Sequence, residues 1–146
     1  MVRKHYLCGD MLTHIYIIGI GSNLPYAECM VHAICSLLPR QVFGQWRFSR
    51  CMLTEPIRFA NPALFANAVA EVQTSVDAGE LHRLLKAVEA LMGRCPADKS
   101  ESRVVADLDI LVADSSVLRP ADMLRPYITT LLAEIGYEAL QVGRDK

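Results

Sequence analysis

Between residues 64 and 111 the sequence changes its hydrophobic period twice, and that order restricts the fold more than any single residue does. From Leu64 to Gln73 the pattern is that of a strand, with Phe65, Asn67 and Val69 on one face and Leu64, Ala66, Ala68 and Ala70 on the other. A helix follows. Asp77 is its expected N-cap, Glu80 three residues on completes a capping-box-like pair, and Gly93 ends it. Leu81, Leu84, Leu85, Val88, Leu91 and Met92 supply its apolar stripe. Arg94 to Arg103 is polar and aperiodic, as expected of a loop, and Asp107-Leu108-Asp109-Ile110-Leu111 then returns to period two.

The same reading applied outward predicts a strand from His14 to Gly21 that stops at the turn Gly21-Ser22-Asn23. A helix from about Ala27 to Leu38 follows, with Met30, Ile34, Leu37 and Leu38 at helical spacing and Pro39 closing it. Val42 to Thr54 alternates imperfectly and reads as one edge-prone strand, and Pro56 to Pro62 as a loop. A last helix is expected from Ala121 to Ile135, interrupted by Pro126. The order β-α-β-β-α-β plus a C-terminal helix predicts an α+β, ferredoxin-like sandwich. Residues 13–146 are expected to form a single domain, with 1–12 an extension and Met11 an alternative initiator.

Composition excludes several classes. At 146 residues, 52% hydrophobic and 21% charged, the chain is long enough for one core and too apolar for disorder. A net charge of −1 gives no footprint for nucleic acid or an anionic membrane. The apolar run Ile15–Ile20 is too short to span a bilayer, and Arg3, Lys4 and His5 are followed by no adequate apolar segment before Asp10, so a cytoplasmic location is expected. Five cysteines without a C-x-x-C pair, and four histidines without metalloprotease spacing, define neither a zinc site nor a disulfide framework.

Chemistry enters at Asp107 and Asp109. At alternate positions of a strand they stand side by side, opposite Ala106, Leu108 and Ile110. Two like charges so placed repel, and a divalent cation relieves the repulsion while gaining oxygen ligands. The alternative is a half-solvated strand whose outer face is merely acidic.

Three separated motifs occur in sequence order: Gly21-Ser22-Asn23-Leu24, then Thr54-Glu55-Pro56 with Phe65-Ala66-Asn67-Ala68, then Glu89 and Gly93-Arg94 ahead of Asp107-Leu108-Asp109-Ile110-Leu111. In this order and at these separations, from about Ile15 to Ile135, the chain resembles the 6-hydroxymethyl-7,8-dihydropterin pyrophosphokinase family of folate biosynthesis. The resemblance implies transfer of the terminal pyrophosphoryl unit of ATP to the pterin hydroxymethyl group, releasing AMP. It implies that Asp107 and Asp109 hold two Mg²⁺ ions. Thr54, Ile57, Phe65 and Asn67 would contact the pterin, with Asn67 offering a donor and an acceptor and Phe65 a stacking surface. Glu89 and Arg94 match positions near ATP, and Arg94 is counted with the aspartates as catalytic. Phe65 read by itself is equally a core aromatic, and an arginine at a helix C-terminus also simply complements the helix dipole. The partners implied are the pterin and ATP, without nucleic acid or membrane, for a monomer or small homo-oligomer.

The sequence departs from the family pattern in the loop before Asp107. Where the family keeps an arginine and a lid tryptophan, gapless alignment puts Val104 and Glu101, leaving Lys99 and Arg103 as the loop cations expected near the phosphates. Pro120-Ala121-Asp122 replaces a Pro-His, and the sole tryptophan, Trp46, lies in the second strand. Three functions therefore compete: the transferase, acting on this pterin or a related one; a divergent pterin- or nucleotide-binding protein with little turnover; and a ferredoxin-like regulatory module without a small ligand.

Overall fold

The computed structural model describes residues 13–55, 64–95 and 103–137. Its elements are β1 (His14–Ser22), α1 (Ala27–Gln41), β2 (Gln45–Phe48), β3 (Met52–Thr54), β4 (Phe65–Thr74), α2 (Ala78–Leu91), β5 (Asp107–Ala113), β6 (Ser116–Val117), α3 (Pro120–Met123) and α4 (Pro126–Glu134). One sheet runs in the order β2-β4-β1-β5-β6, with β3 also on β4, and every pairing is antiparallel. The first strand is thus central, between β4 and β5. This is the expected ferredoxin-like α+β arrangement, in which each long helix crosses over one strand.

Alternation decides what each face does. Tyr16, Ile18 and Ile20 of β1, Ala66, Ala68, Ala70 and Val72 of β4, and Leu108 and Ile110 of β5 point to the face covered by Val31, Ile34 and Leu38 of α1 and Leu81, Leu85 and Val88 of α2. Alanines on β4 let the helices approach closely. On the opposite face Ile17, Val69, Leu111 and Val112 pack against Ile128, Leu131 and Leu132 of α4. Among the described residues that helix covers only part of its face, and the end of the sheet at Gly19 and Gly21 borders a cleft. Tyr16 brings a polar hydroxyl into the main core. Its hydroxyl donates to the Val76 carbonyl at 2.7 Å, and burial, reinforced by Asp114 and Asp77, pushes its pKa up to about 12. Tyr16→Phe is expected to cost about 1 kcal/mol in urea unfolding, because the part-buried Val76 carbonyl loses its donor.

Several boundaries correct the sequence reading. Pro39 does not close α1: the turn continues to Gln41, because a proline removes only its own N–H and Val42 N still donates to the Leu38 carbonyl at 2.9 Å. The expected second strand is two, since residues 49–51 oppose only Ala68 and Val69 and form a bulge. Ser49 bridges the gap, its N–H donating to Val69 O and its hydroxyl accepting from Val69 N, both at 2.9 Å. Leu64 precedes β4 and is exposed, and Leu91 projects off the edge of the α2 stripe with 67% of its surface exposed. Asp77 does cap α2, accepting from Glu80 N at 2.8 Å, but the Glu80 carboxylate pairs with Arg83. The last helix is also two, α3 and α4, each with a proline in its first turn, where no N–H is needed. The short β6 was not anticipated. It forms a hairpin with β5 through Asp114 at φ 55°, a conformation fixed by Ile15, whose N–H donates to the carboxylate at 2.9 Å and whose carbonyl accepts from Asp114 N at 2.7 Å.

Candidate functional site

Cross-strand register assembles the site. Asp107 lies opposite Gly21 and Asp109 opposite Gly19 on one side of β1; Asn67 lies opposite Gly21 on the other. Directly opposed residues share a face, so the two carboxylates and the amide all project onto the same end of the sheet. Between them β1 presents only glycine. A Cβ at Gly21 would sit 3.3 Å from Asn67 Oδ1, and one at Gly19 would sit 3.3 Å from Leu111 Cδ1. The missing side chains leave a cleft of about 200 Å³.

Thr54, Phe65, Asn67, Asp107 and Asp109 all line this cleft, so the structure brings together five residues that the sequence marked from three distant segments. Asn67 is 7% exposed. Its Nδ2 donates to Thr54 Oγ1 at 2.6 Å, which leaves Oδ1 turned toward Gly21 and the cleft. Asn23 sets the height of the other wall: its side-chain oxygen accepts from Val104 N at 2.6 Å and its own N–H donates to Val104 O at 2.8 Å. The Gly-Ser-Asn turn therefore clasps the segment entering β5, and Val104 lines the cleft.

The two carboxylates differ. Asp107 is 44% exposed and takes a hydrogen bond from Arg94 Nη1 at 3.2 Å. Asp109 is 24% exposed; burial, then the neighbouring Asp107 charge, raises its pKa against the pull of Arg119 and Lys86. A raised carboxyl beside a second carboxylate is the electrostatic situation that a hard divalent cation relieves. The donor set fits Mg²⁺, which is held by one or two carboxylates and completes its shell with water and phosphate oxygens. Among the described residues no group of three or more His, Cys, Asp or Glu forms a closed metal cage.

Other expected residues fall elsewhere. Glu89 is buried beneath β5, its Oε2 accepting from Leu108 N at 2.7 Å, and Arg94 reaches Ala106 O at 3.0 Å. Neither is among the residues lining the cleft. Arg103 is exposed and is also absent from the lining. Ile57 and Lys99 lie outside the described residues, as do residues 1–12.

Three charged lining residues were not marked as site residues in the sequence: Arg119, Asp122 and Arg125. Asp122 Oδ2 holds Arg119 Nε at 2.6 Å, its Oδ1 holds Arg125 Nη2 at 3.2 Å, and Arg119 Nη1 comes within 3.7 Å of Asp109. Their signal was an aspartate three residues from each of two arginines, an ordinary helical spacing that is also read as surface pairing.

With its long helices on one face and polar groups converging on a cleft in the other, the protein is a ferredoxin-like α+β sandwich with room for a small molecule. Residues 17–137 match the family model described as 7,8-dihydro-6-hydroxymethylpterin-pyrophosphokinase, and the chain belongs to that family. It is similar to the 2-amino-4-hydroxy-6-hydroxymethyldihydropteridine pyrophosphokinase of Bacillus subtilis, 26% identical over 117 residues that cover 80% of this chain and 70% of that protein. A protein of the same description from Porphyromonas gingivalis is 29% identical over 102 residues, covering 67% and 68%. Among the described residues no helix is long and apolar enough to cross a membrane.

Proposed function

We propose that the chain transfers the pyrophosphoryl group of MgATP to the hydroxymethyl group of 6-hydroxymethyl-7,8-dihydropterin in the cytoplasm, releasing AMP, and that residues 13–146 act as one catalytic domain. The observation that carries this reading is the convergence of Asp107, Asp109 and Asn67 on one cleft across a glycine-only stretch of β1. In this reading the two aspartates hold Mg²⁺, two ions being expected. The bound metal supplies charge neutralisation on the transferring phosphates. Asn67, fixed by Thr54, presents Oδ1 to a donor on the pterin edge, and Phe65 offers a flat apolar surface beside it. Arg119 and Arg125, steadied by Asp122, supply positive charge on the cleft wall where the polyphosphate is expected. Transfer then depends mainly on holding the phosphate in line with the hydroxyl.

Pterin-dependent AMP release from MgATP tests the function, because hydrolysis to ADP leaves no AMP. If AMP does not form, the second reading stands: a pterin-binding relative without turnover, favoured by Val104 lining the cleft where the family pattern carries arginine. Asn67→Ala separates pocket from chemistry. It is expected to weaken pterin binding by calorimetry about 10- to 100-fold, the cost of an unpaired polar edge. Unchanged affinity places the pterin elsewhere.

A further inference from the structure

Among the described residues, β5 has no strand on its outer edge beyond Val112 and Ala113, which pair with β6, so Leu108, between the two aspartates, has no ladder partner there. Side chains from the last two turns of α2 take its place. Glu89 Oε2 accepts from Leu108 N at 2.7 Å, and Lys86 Nζ donates to Leu108 O at 3.1 Å. The two side chains are tied to each other at 3.0 Å, Arg94 Nη1 joins the same Glu89 oxygen at 3.1 Å, and the Glu89 side chain is only 6% exposed. Leu108 itself is fully buried against the helices. The residue is gripped at its N–H, its carbonyl and its side chain, so both peptide groups flanking it are held, and rotation of either would reorient Asp107 or Asp109.

We propose that Lys86 and Glu89 are positioning residues that fix the Leu108 peptide and thereby the mutual orientation of Asp107 and Asp109, setting the affinity of the site for divalent cation. Glu89 does not line the cleft and acts through the strand it holds, whereas Lys86, 3.8 Å from Asp109 Oδ1, can act on that carboxylate by charge as well as through the strand. The inference rests on the metal role given to the aspartates above. It deepens that role by naming what pre-organises the pair.

Charge and position predict opposite outcomes for Lys86→Met, which makes that variant the decisive one. A pure charge effect has Lys86→Met, which removes a cation, binding divalent metal more tightly, and Glu89→Gln, which removes an anion, binding it less tightly. A clamp has both variants binding it less tightly. Mn²⁺ binding to the full chain, measured by electron paramagnetic resonance with α,β-methylene-ATP, should weaken about tenfold in each variant, with Lys86→Arg staying within about twofold of wild type. The half-saturating Mg²⁺ for AMP release should rise in parallel while the pterin KM holds. Tighter Mn²⁺ binding by Lys86→Met overturns the proposal, as does unaltered binding with a lowered Tm, which would make the cluster an edge plug for the fold alone. Should Glu89→Gln fail to fold, the half-exposed Lys86 decides by itself. Wild-type protein that binds Mn²⁺ without forming AMP defeats the proposed reaction but leaves the clamp open to the same test; wild-type protein that does neither defeats both.

Discussion

Asp109→Asn is expected to lower pterin-dependent AMP release on the order of a thousandfold while raising the Tm of the metal-free protein. Asparagine keeps the size of the side chain and its place opposite Gly19, so the cleft retains its shape. What disappears is one of two charges that the fold holds together. Burial, then Asp107, raises the Asp109 pKa, so the folded protein favours the protonated form, and metal-free stability falls as pH rises from the ordinary carboxylate value through the raised one. Removing that charge relieves the folded state at neutral pH. Activity and stability then move in opposite directions, the trade-off expected when a group is retained for function. AMP release by the variant within tenfold of wild type refutes the metal role, and a lowered Tm in EDTA refutes the electrostatic account.

Arg119→Ala should reduce AMP release about a hundredfold, and Arg119→Lys should recover only part of the loss. The guanidinium lines the cleft, lies on Asp122 at 2.6 Å and reaches within 3.7 Å of Asp109, so it is already oriented where phosphate charge would gather. A lysine restores the charge without the planar fork that can hold Asp122 and an oxyanion together. Steady-state rates across MgATP concentrations separate loss of nucleotide affinity from loss of transfer. A variant within twofold of wild type would return attention to the loop cation Lys99.

Much of the architecture was legible because it follows from period. The alternation from Phe65 to Val72, the stripe of α2 and the paired aspartates each required only local spacing, and together they gave the strand and helix order correctly. The errors arose where tertiary partners override local pattern. The bulge opposite Ala68 and Val69 comes from β4, not from the residues it interrupts, and the last turn of α1 survives Pro39 because Val42 finds the Leu38 carbonyl. The site divides in the same way. Asp107 and Asp109 advertise themselves by adjacency, and Asn67 by being an amide in mid-strand. Arg119 and Arg125 do not, since their importance depends on a chain reversal after β6 that no spacing reveals. Glu89 was noticed for its position, but spacing gave no sign that its carboxylate would accept from the Leu108 N–H at a strand edge.

Gly19 and Gly21 carry a consequence for selectivity. Most binding clefts are floored by side chains, which change rotamer to suit a guest. Here the ligand would rest on peptide groups of a central strand hydrogen-bonded on both sides, and such a surface has no rotamers to adjust. The floor should therefore admit flat rings and turn away puckered or substituted ones whatever their polarity. Resistance to an inhibitor seated on it would have to arise at the rim.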